Sequence, residues 1–197
     1  MIFPLALPFL FGLFLLLLAL LVLVVELRIL RYAYRKIGVP PRWMFVVLLV
    51  SLLGSQVNLP LFRLRGTIIA INVGGAMVPL LLSLYLFARH TNLRGRMLLG
   101  VGVVAVIVHA LSTIVPGVGI AVPMFLPPIA AAVVALALAI RQAPPLAYVA
   151  GSMGALIGAD LLNLPQIANV GAPALSIGGA GTFDGVFLTG IIAGLLA

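Results

Sequence analysis

Long apolar runs separated by short polar connections dominate the chain from beginning to end. Each run is close to the roughly 20 residues that an α-helix needs to cross a bilayer. Prolines at four positions, Pro116, Pro123, Pro127 and Pro128, indicate that the first half of the fifth run is kinked or re-entrant. The pattern predicts an all-α integral membrane protein of about seven transmembrane helices, at residues 4–26, 43–62, 67–88, 97–115, 118–140, 146–164 and 181–197.

The composition agrees with this class and excludes others. With 64% hydrophobic and 7% charged residues, the chain cannot cover a soluble domain, so we expect the lipid bilayer as its main partner. A net charge of +8 would suggest nucleic acid in a soluble protein, but here the basic residues lie between apolar runs, so no nucleic-acid partner is predicted. The absence of cysteine and the unrelated positions of the two histidines exclude a Cys/His metal site, and we predict no metal or cofactor.

The basic residues predict the orientation of the chain in the membrane. The connections between helices 1 and 2, 3 and 4, and 5 and 6 carry nine of them, whereas the alternate connections carry only Arg63 and Arg65. Because cytoplasmic connections are enriched in Lys and Arg, we expect the N-terminus outside and the C-terminus in the cytoplasm. The prediction is a multi-pass protein of the cell (inner) membrane.

An internal repeat relates the second predicted helix to the sixth, and the third to the seventh. Four pairs of short motifs match at an offset of 104 residues, which becomes 105 at the third pair because one residue is inserted there. The pairs are Pro40-Pro41 with Pro144-Pro145, Gly54 with Gly158, Asn58-Leu59-Pro60 with Asn163-Leu164-Pro165, and Gly74-Gly75-Ala76 with Gly178-Gly179-Ala180. Four spans separate the copies, so the repeat is parallel: residues 1–90 and 118–197 form two three-helix units joined by a linker helix within 91–117, in a single membrane domain.

Three longer motifs carry a family resemblance. Residues 116–123 (PGVGIAVP), 158–165 (GADLLNLP) and 178–185 (GGAGTFDG) resemble those of a prokaryotic multi-pass membrane family defined as a domain of unknown function. The resemblance covers nearly all residues from 40 onward. It implies a bacterial or archaeal membrane location and no particular activity.

Two of the three acidic residues, Asp160 and Asp184, lie in apolar sequence of the second copy. The first copy has Gln56 and Leu80 at their positions, so the scaffold does not require the acids. A carboxylate at bilayer depth is costly and marks a functional site by default. If helices 6 and 7 are antiparallel neighbours, both acids lie at similar depth and can meet. Two such carboxylates would share a proton or bind a cation.

Amide side chains surround these acids in the sequence. Asn-Leu-Pro ends or kinks a helix in each copy, because proline removes a backbone donor and Asn can bond the carbonyl groups that are freed. This pattern is typical of a turn at the interface, and also of broken helices around a transport cavity. The predicted ligand-binding residues are Asp160, Asp184, Asn163, Asn58, Gln56, Asn72 and Asn169.

These residues support three functional hypotheses. The first is a small transporter or channel-like carrier whose Asp pair binds a cation or a proton. The second is an intramembrane aspartyl protease with Asp160 and Asp184 as the catalytic dyad. Gly181-Thr182-Phe183-Asp184 is loosely similar to the Gly-x-Gly-Asp motif of presenilin-type proteases, but Phe183 replaces a glycine, and Pro173-Ala174-Leu175 precedes the second aspartate where the similar tripeptide should follow it.

The third hypothesis is an assembly subunit without turnover, in which the two acids are protonated and bond freed backbone groups. Faces of small residues, such as those around Gly100 and Gly151, lead us to expect a homo-oligomer in any of the three cases.

Overall fold

The computed structural model describes residues 3–64, 66–115, 119–167, 174–179 and 185–197. The chain is mostly helical, with short strands between the helices. The helices are α1 (Phe3–Ile37), α2 (Pro41–Gly54), α3 (Val78–Arg89), α4 (Arg94–Leu111), α5 (Leu126–Ala139), α6 (Ala143–Ala155), α7 (Leu164–Ile167) and α8 (Gly185–Leu196). Two π-helical segments, Val73–Met77 and Leu156–Leu161, precede α3 and extend α6, and 3₁₀ turns at Thr91–Leu93 and Ile140–Gln142 join neighbouring helices.

Proline sets where several helices begin. It occupies one of the first two positions of α2, α3, α5 and α6. At these positions a backbone N–H has no partner within the helix, and the fixed φ of proline suits the helical conformation. The Pro-Pro pairs near residues 41 and 144 therefore start α2 and α6 at corresponding points of the predicted repeat.

Strands replace the ends of several predicted helices. β1 (Asn58–Leu64) and β2 (Thr67–Asn72) form an antiparallel hairpin, and β5 (Ala174–Ile177) pairs in parallel with β2. β3 (Thr113–Val115) and β4 (Gly119–Ala121) form a second hairpin. The predicted helices 43–62 and 67–88 are wrong at these ends. Pro60 cannot continue a helix and lies at a register shift in β1, and the isoleucines of β2 favour an extended chain.

The apolar helices agree with a membrane protein. In the described part of the chain, three helical runs are long and apolar enough to cross a bilayer, at Gly12–Ile37, Thr91–Leu111 and Leu126–Gln166. Three shorter apolar helices cover Arg42–Gly54, Val73–Arg89 and Gly185–Leu196. The third long run includes α5 and α6, which pack against each other across the turn at Ile140–Gln142. The arrangement of seven spans stays a prediction.

Helix α1 leaves most of its apolar surface uncovered. Large apolar side chains from Leu13 to Val25 are exposed, whereas Ala33, Tyr34 and Ile37 near the end of the helix are fully buried. Burying apolar area from water stabilises a fold by about 25 cal/mol per Å², so an uncovered leucine-rich helix is expected to contact lipid or another apolar surface.

The connections gather at two opposite ends of the helices. At the first, the Lys36 ammonium donates to the carbonyl oxygen of Leu195 (2.8 Å), the Arg89 guanidinium to that of Gly38 (3.4 Å), and the Asn92 amide to Gln142 Oε1 (3.0 Å). We call this the basic end, because the connections that meet here carry most of the Lys and Arg residues. The two sheets lie at the other end, which we call the strand end.

Close packing around glycines holds the π-helical extension of α6 against α4. A Cβ atom on Gly158 would overlap the carbonyl oxygen of Ala105 and lie 3.0 Å from Val108 Cβ. By contrast, a Cβ atom on Gly102, on the exposed side of α4, would meet nothing within 4 Å.

We therefore predict opposite effects of two alanine substitutions. Gly158→Ala should lower the free energy of unfolding by about 1–3 kcal/mol, because backbone atoms must shift. Gly102→Ala should leave stability unchanged or raise it by up to about 1 kcal/mol, because alanine favours the helix. Thermal unfolding of the two variants in detergent tests this; equal midpoints would contradict the α4–α6 contact.

Candidate functional site

A cavity of about 480 Å³ opens at the strand end. It lies between the ends of α4 and α6, the starts of α5 and α8, and strand β5. Its described wall is mainly apolar, with the polar side chains Asp160, Ser176 and Thr189 among residues such as Val108, Pro123 and Leu175. An apolar pocket with a few convergent polar groups is the usual form of a small-ligand site.

Asp160 supplies the carboxylate of this cavity. The residue is half-buried, and its Oδ2 accepts a hydrogen bond of 2.6 Å from the backbone N–H of Gly178. A backbone donor stabilises a negative charge on the acceptor oxygen and is compatible with a protonated acid as well. The contact fixes the side chain at the wall of the cavity.

Gly178 can make this contact because it is a glycine. Its φ is 66°, in the left-handed region, and a Cβ atom would lie 2.6 Å from Ala76 Cβ and 2.7 Å from Ala76 N. Any other residue would be strained in its backbone and would collide with the first π-helical segment. The turn after β5 therefore presents its N–H group to Asp160 while packing closely on the first copy of the predicted repeat.

The second π-helical segment contains Asp160, and the repeat offers a reason for its position. The offset between the copies changes from 104 to 105 between Gly158 and Asn163. One extra residue in a helix widens a turn so that an N–H bonds the carbonyl five residues earlier. The Leu162 N–H bonds the Ile157 carbonyl oxygen in this way, at 2.9 Å. The single-residue insertion thus coincides with the widened turn that carries the carboxylate.

An amide cluster lies beside strand β5. Asn72 is 2% exposed; its Nδ2 donates to the Ser55 carbonyl oxygen (2.8 Å) and to Asn58 Oδ1 (2.9 Å), and its Oδ1 accepts from the Gly75 N–H (2.8 Å). Asn58 Oδ1 also accepts a hydrogen bond from the Ser176 hydroxyl of β5. The side chains tie the start of the first π-helical segment to the hairpin and to β5.

The amide cluster and the Asp160 carboxylate both bond residues at the end of β5 and in the turn that follows it. Ser176, which bonds Asn58, stands two residues before Gly178, which bonds Asp160. The structure therefore brings Asn58, Asn72 and Asp160 together around residues 176–178. The first and second copies of the predicted repeat meet here.

Asn163 performs a separate role. Its side chain is 3% exposed, and Nδ2 donates to Ser112 Oγ (2.9 Å) and to the carbonyl oxygens of Gly158 (3.1 Å) and Ala159 (2.8 Å). These carbonyl groups belong to the π-helical segment that carries Asp160. Asn163 thereby fixes the widened turn to the end of α4.

The remaining predicted residues contribute less or lie outside the described residues. Gln56 is exposed, makes a weak contact with Ser55 Oγ at 3.4 Å and does not line the cavity. Asn169 and Asp184 lie outside the described residues, so the meeting of Asp160 with Asp184 stays a prediction. Ser112, Ser176 and Thr189 were not predicted; their only sequence signal is a hydroxyl group in an apolar run.

Asn72 offers a test of the amide cluster. Asn72→Ala should lower the free energy of unfolding by about 2 kcal/mol or more, because the Gly75 N–H and the Ser55 carbonyl would lose a buried partner. Asn92→Ala, which removes one exposed hydrogen bond at the basic end, should change it by less than about 1 kcal/mol. Denaturation of both variants in detergent provides the comparison, and an Asn72 effect no larger than that of Asn92 would contradict the assigned role.

Comparison with known proteins identifies a family whose function is unknown. A family model described as "Protein of unknown function (DUF1614)" matches residues 10–196. No curated protein and no solved structure matches the chain.

Proposed function

The chain belongs to the DUF1614 family of proteins of unknown function, and we propose that it is a small membrane transporter or channel-like carrier. Asp160 binds a cation or a proton, and Asp184 supplies the second carboxylate. The observation that carries the proposal is the position of Asp160: a half-buried acid at a widened helical turn, in the wall of an apolar cavity. Acids in such surroundings commonly mark ion pathways and proton relays.

The arrangement of the two copies supports transport. Transporters often place their ligand between related repeats, where broken helices expose backbone groups to a cavity. Here the site lies where β5 and the following turn meet β2 and the first π-helical segment. We also propose that the chain is a parallel duplication, with residues 1–90 and 118–197 as the two copies and a linker helix between them. The prokaryotic origin of the family is part of the same proposal.

The two-ended structure supports the proposed orientation. The connections with most of the basic residues contact one another at the basic end, as expected if all of them face the cytoplasm. The strand end, with the cavity, then faces outward, and the chain is a multi-pass protein of the cell membrane with its C-terminus inside.

Single cysteines test this orientation without background, because the chain contains no cysteine of its own. Leu61→Cys in β1 and Asn92→Cys at the basic end both replace exposed residues. An impermeant thiol reagent should label Leu61→Cys in intact cells and Asn92→Cys only after the membrane is opened. The reverse pattern would overturn the orientation.

The second candidate is the intramembrane aspartyl protease. Strand β5 favours it, because β5 lines the cavity beside Asp160 and lies at the edge of its sheet among the described strands. An extended peptide can pair with such an edge and bring its backbone to the acid. We rank this reading second because the motif departures around Asp184 and Pro173 weaken the resemblance to known proteases.

Asp160→Asn distinguishes these functions when two assays are combined. Purified protein is reconstituted into liposomes for proton and cation flux, and it is incubated separately with single-span peptides. We expect flux to fall about tenfold or more in Asp160→Asn, because the ion loses its direct counter-charge. Asp184→Asn should behave alike.

Glu26→Gln is the matched control, because it removes the carboxylate of α1, which the structure places away from the cavity. It should retain wild-type flux. Aspartate-dependent cleavage without flux would contradict the transport function and support the protease. Wild-type behaviour of both Asn variants in both assays would contradict both functions and leave the hypothesis of an assembly subunit.

A further inference from the structure

On the side of the cavity that faces the basic end, α6 and α8 pack too closely to admit a metal ion together with its ligands. A Cβ atom on Gly190 would overlap the Ser152 hydroxyl and lie 2.9 Å from Tyr148 Cε2. One on Gly151 would lie 3.2 Å from both Ala131 Cβ and Thr189 Cγ2. A metal cation needs several oxygen ligands around it, which this contact has no room to supply. A proton that moves between hydroxyl groups needs no such space.

Buried hydroxyl groups follow this contact from the cavity towards the basic end. Thr189 lines the cavity and is 4% exposed; Ser152 and Tyr148 are fully buried on α6, one helical turn apart. Gly190 of α8 packs against both the Ser152 hydroxyl and the Tyr148 ring, and Tyr148 belongs to the same buried cluster as Tyr34 of α1. Tyr34 is fully buried two residues before Lys36, whose ammonium group contacts Leu195 at the basic end.

The π-helical segment aligns Asp160 with these hydroxyls. Asp160 is the eighth residue after Ser152. In a regular α-helix it would lie about 80° from Ser152 around the helix axis. The extra residue of the widened turn reduces the effective separation to seven residues and the angle to about 20°. Tyr148, Ser152 and Asp160 therefore share one face of the helix, although their spacing in an unbroken helix would not allow it.

Packing alone does not account for these hydroxyls. Among the described residues, the Tyr34 hydroxyl is buried without a hydrogen-bonding partner, and the hydroxyls of Tyr148 and Ser152 have no partner other than each other. A buried polar group without a partner destabilises a fold, and phenylalanine or alanine would fill nearly the same space without that cost. Their position between the cavity and the basic end fits a role in proton transfer.

We propose that the transported species is a proton, and that it passes from Asp160 along Thr189, Ser152, Tyr148 and Tyr34. This inference rests on the proposed transport function and chooses between its two ligands. Asp160 takes up a proton from water in the cavity, each hydroxyl accepts a proton from one neighbour and releases its own to the next, and Tyr34 releases a proton to water at the basic end. Each hydroxyl then rotates back before the next passage. Each transfer needs neighbouring oxygens within roughly 2.6–3.2 Å, and the proposed path requires side-chain rotation to bring them there.

Tyr148→Phe, Ser152→Ala and Tyr34→Phe test the path, since each removes one oxygen atom and little else. In liposomes with an internal pH indicator and an imposed potential, each variant should lower the initial proton flux by about tenfold or more. Ser51→Ala is the matched control, because this hydroxyl is also buried without a partner among the described residues but lies on α2. It should retain wild-type flux, and thermal unfolding checks that all four variants fold.

The outcomes separate the path from the transport function. Proton flux that is lost in Asp160→Asn but unchanged in all three path variants would overturn the path and leave transport intact. Sodium or potassium flux in place of proton flux, again dependent on Asp160, would overturn the choice of the proton. An absence of any flux in the wild-type protein would overturn both.

Discussion

The hydrogen bond between the Gly178 N–H and the Asp160 carboxylate is the contact on which the site depends. An acid at the wall of an apolar cavity is stable only when donors or counter-charges replace the water it has lost. Here the backbone N–H of Gly178 serves as one such donor. It holds the carboxyl group at the wall of the cavity, where the proposed cation or proton would bind.

That contact requires two local features on different parts of the chain. The widened turn in the second π-helical segment places Asp160 at the cavity. Asn163 fixes this widened turn by donating hydrogen bonds to the carbonyl groups of Gly158 and Ala159. On the opposite side, the turn after β5 needs a left-handed glycine that packs on Ala76. Asn58 and Ser176 connect this turn to the hairpin of the first copy. A change in either element would displace the N–H from the acid.

The apolar runs predicted α4 and α6 well: the runs indicate helices at 97–115 and 146–164, and the structure has Arg94–Leu111 and Ala143–Ala155 with its π-helical extension to Leu161. They overpredicted helix at residues 58–62 and 67–72, because an apolar run of helical length does not show that β-branched residues after a proline prefer a hairpin. The four-residue strand β5 pairs with β2 over more than 100 positions, and no local pattern predicts such pairing. The predicted repeat contains one extra residue near Asp160, and the structure has a π-helical segment at the same place.

Among the candidate residues, the sequence drew attention to Asp160, Asn58 and Asn72 because polar groups are rare in apolar runs. It could not show that Ser176 and Gly178 join them, because that depends on long-range strand pairing. The central claim is that the Asp160 carboxyl group exchanges protons in an apolar cavity. Modification by dicyclohexylcarbodiimide, an apolar reagent for protonated carboxyl groups, tests it directly when the site is located by mass spectrometry. We predict modification at Asp160; modification at Glu26 with none at Asp160 would contradict the account.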